Sequence, residues 1–224
     1  MIAVLVLSFF VVDKKGLQKQ QGILKNARVV LDRKFSSYLV VIGIFALGAY
    51  NFSFVLVKAG ALGVDEKTIP LVYAFLNAAT VVAGLPSGLL ADRFGKDKVL
   101  LGGLGLFAIS SLAGILTTAG ILVAFLIAFI YGLYLGTSET IQRAFIPFLT
   151  PNEFKGTAYA VYYLLLGGCS LVANLVFGAL WDQVSASAAF TYSLATALIA
   201  MAGFFFLAAS WRRGQGGPVM VSSS

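Results

Sequence analysis

Long apolar segments separated by short polar connections make up most of the chain after residue 34. There are six such apolar segments, at residues 35–59, 69–91, 99–118, 120–146, 156–181 and 188–210. An α-helix rises about 1.5 Å per residue, so about 20 apolar residues are enough to cross the hydrocarbon of a bilayer. The pattern therefore predicts an all-α fold, a polytopic transmembrane helical bundle with six spans.

The two ends of the chain depart from this pattern. Residues 1–12, MIAVLVLSFFVV, are apolar but too few to cross a bilayer, and we expect them to be the end of an incomplete transmembrane helix. Residues 13–34 are rich in basic side chains and predict a cytoplasmic loop. Residues 211–224 are rich in Gly and Ser and predict a disordered cytoplasmic tail. The six-helix domain is thus expected at 35–210.

Composition supports a membrane protein and argues against an enzyme. Hydrophobic residues make up 59% of the chain and charged residues 11%, which is far below the quarter or so that is usual in soluble domains. The chain contains no His, which removes the commonest metal ligand and the usual proton-transfer side chain near neutral pH. We therefore expect no catalytic site, no metal and no cofactor. The single cysteine, Cys169, leaves no disulfide framework.

Most of the basic residues are predicted to lie on one side of the membrane. If the apolar segments span in alternating directions, the linker 13–34, the connection 92–98, the connection before the fifth segment and the tail share one side. Together with Arg143, near the end of the fourth segment on the same side, these regions hold all the Lys and Arg residues except Lys58 and Lys67. Because basic residues in short loops stay in the cytoplasm, this side is predicted to be cytoplasmic. The membrane topology thus explains the net charge of +7, and we expect these basic side chains to interact with lipid headgroups rather than with nucleic acid.

The connection between the second and third segments carries a recognisable motif. Its sequence, GLLADRFGKDKVL at residues 88–100, resembles the cytoplasmic signature loop of the major facilitator superfamily of secondary transporters. The positions that match are Gly88, Leu90, Ala91, Asp92, Arg93, Gly95, Lys96 and Lys98. The stretch GTAYAVYYLLLGG at 156–168 also resembles the start of helix eleven in many bacterial members. The order of segments resembles the carboxyl-terminal half of a twelve-helix transporter, with helices seven to twelve at 35–210.

The glycines of this motif have predicted structural roles. Gly84 and Gly88 form a G-x-x-x-G pair, a spacing that lets two membrane helices approach closely. Gly95 lies where the chain must reverse direction, and a residue without a side chain suits a tight turn. We therefore expect a close helix contact through Gly88 and a turn at Gly95.

The resemblance also implies a gating role for charged residues at the cytoplasmic boundary. Glu139 and Arg143 lie four residues apart near the cytoplasmic end of the fourth segment, and we expect Glu139 to pair with Arg93 when the cytoplasmic side is shut. The Asp92 carboxylate would then cap a helix amino terminus in the opposite half. Lys96 of the signature loop is assigned to the same group of gating residues. The alternative is that these charges only fix the topology.

Polar side chains inside the segments predict which helices face a substrate cavity. Tyr73 and Asn77 lie one turn apart in the second segment, and other polar residues share faces of the first, fourth and fifth. The candidates for contact with substrate are Tyr50, Asn51, Tyr73, Asn77, Tyr131, Tyr134, Tyr163 and Asn174. The third and sixth segments are predicted to face lipid. For any one residue, a hydrogen bond between helices is the alternative.

These patterns and the resemblance together lead to a functional hypothesis. No charged residue lies near the middle of a predicted segment, so a neutral or amphipathic small-molecule substrate is expected. The resemblance implies a secondary active permease or efflux carrier of a bacterial inner membrane that works by alternating access and is present here as a half. Its partner would be the missing amino-terminal half or a second copy. The alternatives are a half-size carrier that acts as a homo- or heterodimer, and a non-transporting membrane scaffold.

Overall fold

The computed structural model describes residues 31–214, with side chains to residue 211. All the regular secondary structure in this range is helical. The elements are α1 (Arg33–Gly48), α2 (Phe52–Ala61), α3 (Ile69–Phe94), α4 (Lys96–Leu116), α5 (Ile121–Leu149), a 3₁₀ helix (Asn152–Phe154), α6 (Lys155–Gln183) and α7 (Ala186–Gly214). The predicted all-α fold is confirmed.

Six stretches of the described chain are long and apolar enough to cross a membrane. The first combines α1 and α2 as Arg33–Ala61, and the other five correspond to α3, α4, α5, α6 with the 3₁₀ helix before it, and α7. The number of spans agrees with the prediction. The helix starting at Arg33 begins before the predicted segment, and α7 continues past residue 210. The predictions for residues 1–30 and 215–224 lie outside the described residues.

The spans alternate in direction and give the bundle two distinct ends. The basic end carries the turn at Gly95 and the 3₁₀ helix, and the charged residues Arg93, Lys96 and Lys155 lie there. The far end carries the connections 62–68, 117–120 and 184–185. At the basic end, Gly95 has a φ of +96° and its N–H donates to the Ala91 carbonyl at 3.0 Å. The predicted turn is therefore present, in a backbone conformation that favours glycine.

Helix α5 and helix α3 make the most extensive contact in the described bundle, and two glycines of α5 allow it. A Cβ added at Gly132 would collide with the Leu76 carbonyl oxygen, and one at Gly136 with that of Thr80. The predicted close contact through Gly88 is wrong for the described chain, because a Cβ added there would meet nothing within 4 Å. The backbones approach through the glycines of α5 and not through the G-x-x-x-G pair of α3.

An aromatic core joins the helices on one side of the bundle. The ring of Tyr50 lies at its centre, with centroids 4.9 Å from Phe107 of α4, 4.8 Å from Phe177 of α6 and 5.3 Å from Phe190 of α7. These rings are buried, so they contribute large apolar areas as well as ring contacts. α4 also packs against α5 and α7, and α1 against α6 and α7. The aromatic core thus ties α4 and α7 to the rest of the bundle.

Candidate functional site

A cavity of about 470 Å³ opens among the first, second, fourth and fifth spans. None of its lining residues belongs to α4 or α7, the helices of the third and sixth spans, as the polar pattern predicts. The lining is formed by Phe45, Ala46, Ala49, Tyr50, Asn51, Phe52, Tyr73, Leu76, Asn77, Tyr131, Tyr134, Leu135, Ser138, Glu139, Gln142, Arg143, Tyr162, Tyr163, Leu166 and Ser170. A volume of this size is typical of a site for a small ligand.

Most of the predicted cavity residues do line this cavity, but in two different ways. Those in the lining are Tyr50, Asn51, Tyr73, Asn77, Tyr131, Tyr134 and Tyr163. Tyr50 and Tyr131 are each only 2% exposed, and their rings stack 5.3 Å apart. Tyr73 and Tyr163 are 41% and 48% exposed. The buried rings therefore form the wall, whereas the exposed rings are accessible from the cavity. Contact of any of them with a substrate stays a prediction.

A break in the first span forms part of the cavity wall. α1 ends at Gly48 and α2 begins at Phe52, and residues 49–51 between them are extended or non-helical. Asn51 is the N-cap of α2, and its side chain accepts hydrogen bonds from the Ser53 N–H and hydroxyl. Non-helical backbone at membrane depth is tolerated only where protein or a water-filled cavity can satisfy its polar groups. The break therefore needs partners.

Side chains from three other helices supply those partners. The Tyr131 hydroxyl donates to the Tyr50 carbonyl at 2.7 Å, and the Tyr192 hydroxyl donates to the Leu47 carbonyl at 2.7 Å. The Asn51 N–H donates to the Asn174 side-chain oxygen at 2.9 Å. Asn174 was predicted to contact substrate, but it does not line the cavity. Its amide is used to hold the broken backbone in place.

Gln142 links three spans towards the basic end of the cavity and was not singled out from the sequence. Its backbone carbonyl accepts from the Tyr38 hydroxyl at 2.9 Å, and its side-chain oxygen accepts from the Tyr162 hydroxyl at 2.8 Å. The sequence does contain a signal, because Gln142 follows Tyr134 and Ser138 on one face of α5. These bonds connect α1, α5 and α6 in the cavity wall.

Two charged residues line the cavity, and they pair with each other. An Arg143 guanidinium nitrogen lies 2.8 Å from a Glu139 carboxylate oxygen, with side chains 50% and 53% exposed. The predicted pair between Arg93 and Glu139 is not formed here, because Glu139 binds Arg143 one turn along its own helix. Arg93 instead lies over the Phe94 ring, 5.3 Å from its centroid. Glu139 lies ten residues before the end of α5, about 15 Å along the helix axis.

The other predicted gating residues lie away from the cavity. Asp92 and Arg93 are exposed at the end of α3, and Lys96 begins α4 with its ammonium 5.3 Å from the centroid of the Phe148 ring. Gly88 and Gly95 are likewise absent from the cavity lining. The signature loop thus forms a separate charged surface at the basic end. Its role in gating stays a prediction.

Comparisons with known proteins give the chain its family context. A family model described as the Major Facilitator Superfamily matches residues 38–218. An uncharacterised MFS-type transporter of Methanocaldococcus jannaschii is 26% identical over 200 residues, which are 85% of this chain and 49% of that protein. An uncharacterised MFS-type transporter of Mycobacterium tuberculosis is 32% identical over 124 residues, 55% of this chain and 21% of that protein. The chain thus spans at most about half the length of these relatives.

A solved structure has the same fold. The crystal structure of an auto-inhibited POT family peptide transporter superposes with a TM-score of 0.58 and 19% identity, covering 80% of this chain and 37% of that one. At this identity the likeness concerns the fold alone. The family match extends over most of the described helices, and the relatives are membrane transporters rather than enzymes. The chain belongs to the Major Facilitator Superfamily.

Proposed function

We propose that the chain is the six-helix carboxyl-terminal half of a secondary transporter that moves a small solute by alternating access. The observation that carries this proposal is the exposure of the two helices beside the cavity. In their most apolar stretches, only 22% of α3 and 11% of the α6 span are buried, although both contribute to the cavity lining. Large apolar side chains such as Val81 and Leu171 are therefore left uncovered near the cavity.

A second six-helix unit placed over this face would bury α3 and α6 and enclose the cavity. In transporters built from two halves, the substrate site lies between the halves near the bilayer midplane, and rocking of the halves exposes it to one side at a time. The length of the relatives supports an amino-terminal half as the covering unit, since the chain matches 49% of the M. jannaschii transporter. The basic end is proposed to face the cytoplasm, because Arg93, Lys96 and Lys155 lie there.

The proposal is tested by assembly and transport. The chain is expressed in a bacterial membrane alone and together with a candidate six-span first half, purified in mild detergent, and sized by light scattering. We expect a one-to-one heterodimer, and solute uptake after reconstitution into liposomes only when both halves are present. A stable homodimer that transports would replace the first half by a second copy. A folded monomer that neither pairs nor transports would contradict the proposal and favour a scaffold.

A matched pair of variants locates the interface. Val81 lies one turn from Asn77 on α3 and is 71% exposed, whereas Ile199 lies on α7 and is 59% exposed. Val81→Gln is expected to weaken pairing with the first half, and Ile199→Gln is expected to leave pairing unchanged. Both variants add the same polar group to an exposed apolar position, so a general effect of the amide on membrane insertion would appear in both.

A further inference from the structure

We propose that the pair Glu139–Arg143 is the recognition element for a zwitterionic solute, one that carries an ammonium and a carboxylate close together beside an apolar or aromatic side chain. The inference deepens the proposed function, because it names the class of substrate for the same cavity and therefore rests on that function. It starts from the position of the ion pair, which the sequence placed near the membrane boundary and the structure places in the cavity wall.

The ion pair is accessible from the cavity and is isolated within it. Glu139 and Arg143 are the two charged residues among those that line the cavity in residues 31–211. About half of each side chain is exposed, so a solute can reach both the carboxylate and the guanidinium. The rest of the lining consists of aromatic and aliphatic side chains with Asn, Gln and Ser. Charge selectivity at this surface therefore depends on these two residues.

The pairing itself favours a solute that carries both charges. A cation that binds Glu139 competes with Arg143 for the carboxylate, and an anion that binds Arg143 competes with Glu139 for the guanidinium. Once a second half encloses the cavity and excludes water, a charge left with a weakened partner is costly. A zwitterion exchanges one ion pair for two, because its carboxylate can receive the planar guanidinium and its ammonium can donate to Glu139. Both charges of the protein then keep a partner.

The short distance between the charged groups sets the spacing expected in the solute. The guanidinium nitrogen and carboxylate oxygen lie 2.8 Å apart, so the two sites on the protein are adjacent. A solute whose charges are separated by one or two carbon atoms, as in an α-amino acid, can face both sites at once. A solute with charges at opposite ends of a long chain cannot do so without spanning the cavity.

Aromatic rings beside the pair supply a surface for the rest of the solute. Tyr163 is 48% exposed, and its centroid lies 5.2 Å from that of Tyr162 and 6.3 Å from that of Tyr159. The Tyr162 hydroxyl is bound to the Gln142 side chain, which fixes the ring against which Tyr163 packs. Exposed aromatic faces favour ring and aliphatic groups by dispersion and offset stacking. An apolar or aromatic side chain is therefore expected next to the two charges.

Four probes that share one side chain test the charge requirement. They are L-phenylalanine as the zwitterion, L-phenylalaninamide as the cation, N-acetyl-L-phenylalanine as the anion and N-acetyl-L-phenylalaninamide as the neutral compound. Binding is measured by calorimetry to the full chain in lipid nanodiscs, and to its complex with the first half. We expect the zwitterion to bind at least about tenfold more tightly than each of the other three.

Substitution of one charge at a time should change the preference in opposite directions. Glu139→Gln frees the guanidinium and is expected to favour the N-acetyl anion, whereas Arg143→Gln frees the carboxylate and is expected to favour the amide cation. The double exchange Glu139→Arg with Arg143→Glu restores the pair and should restore the preference for the zwitterion. Glu153→Gln and Lys155→Gln, outside the cavity lining, serve as controls and should change nothing. Far-UV circular dichroism checks the helix content of every variant.

The outcomes separate this inference from the proposed function. Equal binding of the neutral and zwitterionic probes, the same order of affinities in both single-charge variants, or no saturable binding of any probe would overturn it. Solute uptake by the two paired halves without a charge preference would also overturn it, while the transport function would stand. Zwitterion binding with the expected switches but without uptake would support the site and reject transport.

Discussion

Replacement of Gly136 by Ala is expected to destabilise the bundle, although alanine is normally the better helix former. An added Cβ at Gly136 collides with the Thr80 carbonyl oxygen and lies 3.0 Å from the Ala83 Cβ, and a Cβ at Gly132 lies 2.8 Å from the Ala79 Cβ. Ordinary contacts between carbon atoms are about 3.5–4.0 Å long. Since backbone oxygens cannot rotate away, α3 and α5 must separate by roughly 0.5–1 Å to relieve the clash.

The magnitude follows from the packing that this separation disrupts. Overpacking of a well-packed interface costs about 1–3 kcal/mol, and a clash with main chain belongs near the upper end of that range. Replacing Gly by Ala inside a helix stabilises the folded state by up to about 1 kcal/mol, because Ala has the higher helix propensity. Gly88→Ala is the matched control, because it has the same gain in helix propensity and an added Cβ there meets nothing within 4 Å. The difference between the two variants therefore isolates the packing cost.

The assay is reversible unfolding of the isolated chain in mixed micelles, followed by circular dichroism as the fraction of denaturing detergent is raised. We expect Gly136→Ala to unfold about 1–3 kcal/mol more easily than Gly88→Ala. If the two variants are equally stable, the close approach of α3 and α5 is not limited by Gly136. If Gly88→Ala is the less stable of the two, the G-x-x-x-G pair of α3 is the true contact, as the sequence first indicated.

Three further substitutions test contacts that hold the spans together, each by the same unfolding assay. Lys58→Met should lower the free energy of unfolding by about 1–3 kcal/mol, because the ammonium of this buried side chain donates to the Thr117 carbonyl at the end of α4 at 2.8 Å. Lys67 is exposed, so Lys67→Met should leave the free energy of unfolding unchanged. Tyr131→Phe should cost about 0.6–1 kcal/mol by removing the bond to the broken backbone, with exposed Tyr163→Phe unchanged. Gln142→Leu should cost a similar amount, since only its side-chain bond is lost.

The parts of the fold that depend on local pattern were predictable from the sequence. Span number follows from the length of apolar runs, and the cavity-facing helices follow from polar residues spaced one turn apart. The break at residues 49–51 was not predicted, because the apolar run continues through it. Its stability comes from Tyr131, Asn174 and Tyr192, which lie far away in the sequence. The nearby signal, an Asn that caps a helix followed by Ser53, is too common to identify a break by itself.

The errors concerning charged and small residues have a related cause. Glu139 was assigned to Arg93 on another helix, but Arg143 lies one turn away in the orientation that favours a pair within one helix. A sequence with two small-residue pairs, at 84 and 88 and at 132 and 136, does not say which of them faces another helix. In each case the competing residues have the same chemistry, and only the rotation of the helices decides between them.

The broken first span connects the cavity to the aromatic core behind its wall. Tyr50 leaves the helical path and packs its ring among Phe107, Phe177 and Phe190, and it lines the cavity together with the next residues, Asn51 and Phe52. A displacement of the cavity wall at this point would therefore disturb the aromatic core and the three hydrogen bonds to the break. Because dense cores resist gradual deformation, the six spans of the proposed two-half transporter are expected to move together as one body, with the change concentrated at the exposed faces of α3 and α6.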